Sequence, residues 1–320
     1  MSLPTDSSHL SSQPSAELIE EFMGMVENQF AKASVMKQFV KVKPVLNTDT
    51  LTNRRIGKSQ LQKLTAGVRP DATPTKHGRA SVTVDTVILS RENQDLLNDF
   101  QADIDVRSLV AEDQGKEMGK FFDQAFIIQG IKGALSAAPT DVDSIGAGKN
   151  VELAAANDEA DPDKLEDAIV GRLVEMEEEE IDISECVVMV RPTEFRTLQK
   201  HDKLISSDFS ADNGDYAKGT IYKIYGVRIV STARIPTAAI ADHFLSNDDN
   251  GNAYDVSDAE SDAVAVILHP RSLLAGETIP MTSDIFYDKT EKQWFIDSYM
   301  AFGVSINRPD VCGAVFKYRA

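Results

Sequence analysis

The stretch from Val106 to Ala138 constrains this chain most, because it reads as one uninterrupted helix. Val110, Met118, Phe121, Ala125, Ile128 and Leu135 recur at steps of three and four or small multiples of them, along one face of a 3.6-residue helix. Glu112, Asp113, Lys116, Glu117, Lys120 and Asp123 fill the other side of its first half, with Glu112–Lys116 and Lys120–Asp123 spaced so that opposite charges meet. That side is predicted to be solvated. From Ala125 to Ile131 apolar residues run almost all the way round, so the second half needs cover on several sides. Pro139 is expected to end the helix. At about 1.5 Å per residue it would span roughly 45–50 Å, a spine from which other elements hang.

A chain of 320 residues with 42% apolar residues can bury a real core. Its formal charge of -18 argues against a free nucleic-acid binder, because phosphate is repelled by the surface as a whole. The charge is uneven. Between Lys32 and Arg91 stand twelve Lys or Arg against Asp49, Asp71 and Asp85, so a basic arm joins an acidic body. Phe39 is the only aromatic residue there, which leaves nothing else to stack on bases. Cys186 and Cys312 offer neither a disulfide framework nor metal spacing and read as buried thiols in a reducing compartment. Met1–Pro14 has no basic leader and no apolar core of a signal peptide, and no apolar run reaches eighteen residues, so no membrane partner is expected.

In order, Glu17–Phe39 reads as an amphipathic helix on Leu18, Phe22, Met25, Phe30 and Ala33, and Lys41–Thr52 as an extended arm. Arg54–Leu89 reads as a long hairpin folded about Gly67–Asp71, with a β-branched return run from Ser81 to Leu89. Such a ribbon does not hold itself up in water. It is an exposed hairpin or an arm that grips a neighbour. After a Gly/Ala/Asn/Asp connector at Asp141–Asp158, Asp161 is an N-cap and Pro162 the first residue of a helix buried through Leu165, Ile169, Leu173 and Met176. That helix ends in Glu177, Glu178, Glu179 and Glu180, the wrong sign for a C-terminus and read as solvated. Cys186–Val190 and Ala263–Leu268 are buried strands, and Ile221–Ile235 is a strand broken at Gly226. Ile285–Tyr287 and Gln293–Ile296 form a hairpin, and Ala301–Tyr318 closes the chain in strands. The fold class is α+β, without a repeated βαβ unit.

No catalytic, cofactor-binding or metal-binding residues are assigned. Gly146-Ala147-Gly148-Lys149 has Asp143 where a phosphate loop needs its first glycine and Asn150 where it needs Ser or Thr, and reads as a linker. The five histidines have no metal spacing. Ser246–Ser261 is predicted to be an exposed, mobile and dispensable loop with little to bury besides Tyr254; the competing reading is a calcium site made of its carboxylates.

Asp105-Val106-Arg107-Ser108, Gly219-Thr220-Ile221, Tyr225-Gly226-Val227-Arg228-Ile229-Val230, His269-Pro270-Arg271-Ser272 and the closing Gly313-Ala314-Val315-Phe316-Lys317 occur in the same order as in the major capsid proteins of T7-like podoviruses. The chain resembles that family, which has the fold first named for the HK97 phage capsid. The resemblance implies an N-terminal arm at 1–53, an extended hairpin loop at 54–89, a peripheral domain at 90–160 and 285–320 containing the spine, and an axial domain at 161–284. It further implies a virion protein that assembles in the host bacterial cytoplasm into hexamers and pentamers of an icosahedral head. Its partners would be itself, a scaffolding protein, a portal protein and packaged double-stranded DNA. Encapsulin nanocompartments, which hold cargo enzymes, share the fold and are the alternative. Charge asymmetry makes Arg54, Arg55, Lys58, Lys63 and Arg69 the expected subunit contacts, with Glu177, Glu178, Glu179 and Glu180 as acidic counterparts on an adjacent subunit.

Overall fold

The computed structural model describes residues 16–59, 61–63, 66–67, 74–95, 106–200, 214–215, 220–221 and 223–319. They divide into two compact units: Met1–Asp49, Val84–Asp123 and Gly276–Gly303 make the first, and Thr50–Thr83, Gln124–Ala275 and Val304–Ala320 the second. Helices and strands are mixed, as the α+β reading expects.

The long helix spans Val106–Leu135, 30 residues. It stops short of the expected Ala138, where the Ser136 hydroxyl donates to the Lys132 carbonyl (2.7 Å) and Pro139 lies beyond the end. Its buried face is also turned from the predicted one. In the first unit the buried positions are Ala111, Gln114, Gly115, Met118, Gly119, Phe122 and Asp123, while Val110 and Phe121 are half-buried. Glycine explains the shift, because it counts as nothing in a search for apolar periodicity yet marks where a neighbour comes closest. A Cβ on Gly115 would lie 2.8 Å from the Val26 carbonyl oxygen, and one on Gly119 2.8 Å from Ala33 Cβ. The helix Ala16–Ala33 therefore packs backbone-to-backbone on the long helix through Phe22, Val26 and Phe30. Gly115→Ala should destabilise the protein by up to about 2 kcal/mol, an overpacking cost of about 1–3 kcal/mol outweighing the roughly 1 kcal/mol gained in helix propensity. Gly24→Ala, which meets nothing within 4 Å, should instead raise the melting temperature slightly; equal effects of the two in thermal melts would refute this packing.

The predicted 17–39 helix is two helices, Ala16–Ala33 and Met36–Phe39. Asp123, expected on the solvated side with Lys120, is 2% exposed and holds the break between them. Its carboxylate accepts from the Ser34 hydroxyl (2.7 Å), Val35 N–H (2.9 Å) and Met36 N–H (3.1 Å). Lys120 pairs with Glu117 instead. The first unit's sheet has the order Val42–Pro44, Leu273–Asp288, Gln293–Ile306, Ile88–Asp95. Phe122 of the long helix meets Phe302 of this sheet at 4.8 Å between centroids and Phe30 at 5.5 Å. Gln114 donates to the Ile296 carbonyl (3.2 Å) and accepts from Ser298, a buried polar row on an otherwise apolar contact.

The second unit is a six-stranded mixed sheet in the order Lys149–Glu152, Cys312–Phe316, Ala263–Leu268, Val187–Val190, Val227–Ser231, Lys223–Ile224. All residues of Val187–Val190 and Ala263–Leu268 are buried, as continuous apolar runs require. Leu165, Ile169, Leu173 and Met176 of Pro162–Glu178 join Val188, Val190, Ile267 and Val315 in one core. The Asp161 cap is present, its side chain accepting from Asp163 N–H. The other half of the long helix meets the same sheet through glycines, with a Cβ on Gly130 reaching Leu268 and one on Gly133 reaching Cys312.

The Ser246–Ser261 segment is not the empty loop its composition suggests. Tyr254 and Val256 are buried, as is Leu245 just before the segment. The Tyr254 hydroxyl donates to the Val304 carbonyl (2.8 Å) and accepts from Val304 N–H (2.7 Å). Asn250 ties the turn together, accepting from Asn247 N–H (3.1 Å) and Ala253 N–H (3.2 Å) and donating to the Leu245 carbonyl (2.7 Å). Gln129 of the long helix donates to the Ala253 carbonyl (2.9 Å), and Lys132 pairs with Glu260 (2.8 Å). Burial raises the Glu260 carboxyl while Lys132 and Ser257 lower it further, leaving it below its ordinary value.

Candidate functional site

The paired part of the hairpin is Thr50–Ile56 against His77–Thr83, in a register that sets Arg54 opposite Arg79 and Asn53 opposite Ala80. Val84 donates back to the Asp49 carbonyl (2.8 Å), and Ile88 and Leu89 pair instead with Met300 and Tyr299 in the first unit. Because side chains alternate, the ribbon has two unlike faces.

The inner face carries Leu51, Asn53 and Arg55 against Val82, Ala80 and Gly78. Ala80, Val82 and Leu51 pack on Leu274. Asn53 donates to the Asn307 side-chain oxygen (2.8 Å), and Arg55 to the Ile306 carbonyl (3.1 Å). Burial lowers the Arg55 pKa against the pull of Asp141 and Asp310, and a guanidinium stays cationic regardless. Of the predicted contact residues, Arg55 is therefore half-buried and engaged within its own chain.

The outer face carries Thr52, Arg54 and Ile56 beside Ser81, Arg79 and His77, all exposed. Like charges directly across a ladder are unfavourable. The Arg54–Arg79 pair is a feature that a ribbon meant only for water would gain by losing. Arg79 was absent from the sequence-derived set, although its alternation with Ala80 and Val82 already placed it outward. Lys58 and Lys63 are exposed, and Arg69 lies outside the described residues.

Glu177, Glu178, Glu179 and Glu180 are exposed, as the solvated reading expects. Their surroundings differ. Glu177 accepts from the Tyr225 hydroxyl (3.0 Å), which raises that phenol's pKa, and Glu179 pairs with Lys149. Glu180 has φ 63°. Ile181 N–H bonds to the Met176 carbonyl (3.1 Å) and Glu180 N–H to that of Glu177 (2.9 Å), the paired bonds of a Schellman ending in a position that favours glycine. Among the described residues no ion pair joins the hairpin cations to these four acids.

Chemistry elsewhere is quiet. Gly148 leads into the strand Lys149–Glu152 rather than into a helix, so 146–149 is a linker and not a phosphate cradle. Both cysteines are free and buried, and burial pushes the Cys186 thiol up to about 12 and Cys312 higher still. Burial lowers the pKa of both His243 and His269. Among the described residues no three His, Cys, Asp or Glu side chains are placed to hold a metal ion, and no helix is long and apolar enough to cross a membrane.

No protein-family model matches the sequence, and no curated protein matches it. Solved structures do. The chain is similar to the mature capsid of bacteriophage PhiM1, with 26% identity and a TM-score of 0.78 over 90% of this chain and 88% of that one. It is similar to the capsid of cyanophage P-SCSP1u, with 17% identity and a TM-score of 0.79 over 90% and 89%. A more distant likeness, 12% identical with a TM-score of 0.53 over 94% and 100%, is to a virus-like particle from Pyrococcus furiosus. A long helix, an extended hairpin, a sheet of long strands and a six-stranded mixed sheet, matched nearly end to end, make this the HK97-like fold of phage capsids.

Proposed function

We propose that this chain is the major capsid protein of a T7-like podovirus, a subunit that assembles into hexamers and pentamers of an icosahedral head. The observation that carries the reading is the match over 90% of the chain to the PhiM1 mature capsid. On this reading residues 1–53 are the N-terminal arm, 54–89 the extended loop, 90–160 with 285–320 the peripheral domain and 161–284 the axial domain. The role is structural rather than catalytic. Partners are further copies of the chain, a scaffolding protein, a portal protein and packaged double-stranded DNA held by non-specific contact. Assembly takes place in the host bacterial cytoplasm, and the finished protein resides in the virion. The second reading, an encapsulin-type nanocompartment shell around cargo enzymes, has less support, because the Pyrococcus furiosus virus-like particle at 12% identity speaks for the fold alone.

Subunit contacts run from the hairpin's cations, Arg54, Lys58, Lys63 and Arg69, to acids of the next subunit, with Glu177, Glu178, Glu179 and Glu180 the exposed candidates, of which Glu177 and Glu179 already meet Tyr225 and Lys149 within their own chain. Arg55 contributes less, since its guanidinium is engaged at Ile306. Each exposed pair adds only about 0–1 kcal/mol, and repetition around a closed shell multiplies the effect. Electron microscopy of the protein co-expressed with its scaffold should show closed, uniform shells; a strictly monomeric protein under those conditions would overturn the reading. Arg54→Glu should lower shell yield more at low salt than at high salt, because exposed charges are screened beyond about 8 Å near physiological ionic strength. Yield unchanged at every salt concentration would remove Arg54 from the interface.

A further inference from the structure

We infer that Asp141–Ser144 is a releasable latch that fixes the direction of the hairpin, separate from the root that holds the hairpin to its domain. The short segment after the long helix crosses both strands of the ribbon. Asp143 Oδ1 accepts from Lys58 N–H (3.2 Å) and the Ser144 hydroxyl donates to the Ile56 carbonyl (2.7 Å), both on the outgoing strand. Asp141 Oδ2 accepts from Arg79 N–H (3.2 Å) on the returning strand. The crossing is possible only because both strands lack a side chain there. A Cβ on Gly57 would stand 2.5 Å from Asp143 Oδ1 and 3.0 Å from the Lys76 carbonyl oxygen, and one on Gly78 would collide with the Asp141 carboxylate and reach Val142 Cγ2 at 2.6 Å. Glycine inside a strand commonly marks such a close approach.

Root and latch differ in kind. The root, at Leu51–Arg55 and Ala80–Val82, has buried apolar contact on Leu274 and part-buried bonds to Ile306 and Asn307. The latch is three exposed hydrogen bonds from side chains, Asp141 and Asp143 being themselves exposed. Each such bond shifts an open–closed equilibrium by only about two- to tenfold, so the latch can open while the root stays closed. With the latch closed, the part of the hairpin beyond Gly57, including Lys58, Lys63 and Lys76, leaves the domain in one direction; with it open, that part pivots about the root.

Hydrogen exchange on the unassembled chain tests the latch without reference to what the chain assembles into. In the variant carrying Asp141→Ala, Asp143→Ala and Ser144→Ala, the amides of Lys58 and Arg79 should exchange at least tenfold faster than in the parent, about 1.4 kcal/mol in opening free energy. Amides across the root, such as those of Leu51 and Val82, should keep their parent rates. Gly78→Ala, which displaces Asp141 by steric pressure alone, should reproduce the Arg79 effect. The inference is overturned if Lys58 and Arg79 exchange at parent rates in the triple variant, or if root and latch lose protection together to the same extent.

Discussion

Replacing Asp123 by alanine is expected to cost about 3–5 kcal/mol and lower the melting temperature by roughly 10 °C. Among the described residues the carboxylate is the acceptor for three donors at the Ser34–Met36 break: the Ser34 hydroxyl, Val35 N–H and Met36 N–H. Ser34 and Met36 are 1% and 0% exposed, so water cannot substitute at either without opening the contact between Ala16–Ala33 and the long helix. Each buried donor left unpaired costs about 1–3 kcal/mol, and the few tenths gained in helix propensity offset little. Asp123→Asn separates the loss of bonds from the loss of volume. Its remaining oxygen can serve Ser34 and Met36, which share Oδ1, while its amide would face the Val35 donor, so the loss should be about a third to a half of that for alanine. Thermal melts with limited proteolysis near Ser34 provide the measurement. An alanine variant within 1 kcal/mol of the parent would show that the break is held by other means.

Asp123 also illustrates what the sequence could and could not reveal. The long helix was legible as a helix because its spacing is a property of the segment itself. Its orientation was not, because Gly115, Gly119 and Asp123 all read as non-core residues until the neighbouring helix is placed against them. The Asp161–Pro162 start and the strands Val187–Val190 and Ala263–Leu268 were legible for the same local reason. Only the end of the long strand Leu273–Asp288, at Ile285–Tyr287, is legible in the sequence, because Gly276 and Pro280 interrupt a strand pattern, although burial alternates at Met281, Ser283 and Ile285 on the far side of the proline. Within the hairpin, the outward placement of Arg54 follows from alternation. The engagement of Arg55 does not, because its acceptor is a backbone carbonyl 251 positions away.

The segment Ser246–Ser261 is where composition misleads most, and where the largest loss is expected. Its acids and its Asn-Gly-Asn core resemble a solvated loop, yet the deciding residue is Tyr254, whose hydroxyl satisfies both backbone groups of Val304, 50 positions away. Tyr254→Phe keeps the buried ring and strands one N–H and one C=O, so a loss of about 2–4 kcal/mol is expected. Replacing the whole segment by a four-residue linker removes more. The Tyr254 and Val256 side chains go, each contributing about 1.5–3 kcal/mol by burial. The Gln129–Ala253 bond and the partly buried Lys132–Glu260 pair go with them. Together these approach the 5–15 kcal/mol that holds a typical domain folded, so the linker variant should melt tens of degrees lower or fail to fold. Closure entropy works the other way but grows only logarithmically with loop length, too weakly to compensate. Melts of parent, Tyr254→Phe and linker proteins, each with and without calcium, separate the readings. A graded loss in that order, indifferent to calcium, is the expected result. A linker variant melting within 2 °C of the parent would return the segment to the status of a dispensable loop, and a melting shift produced by calcium in the parent alone would make its carboxylates, rather than Tyr254, the reason it is ordered.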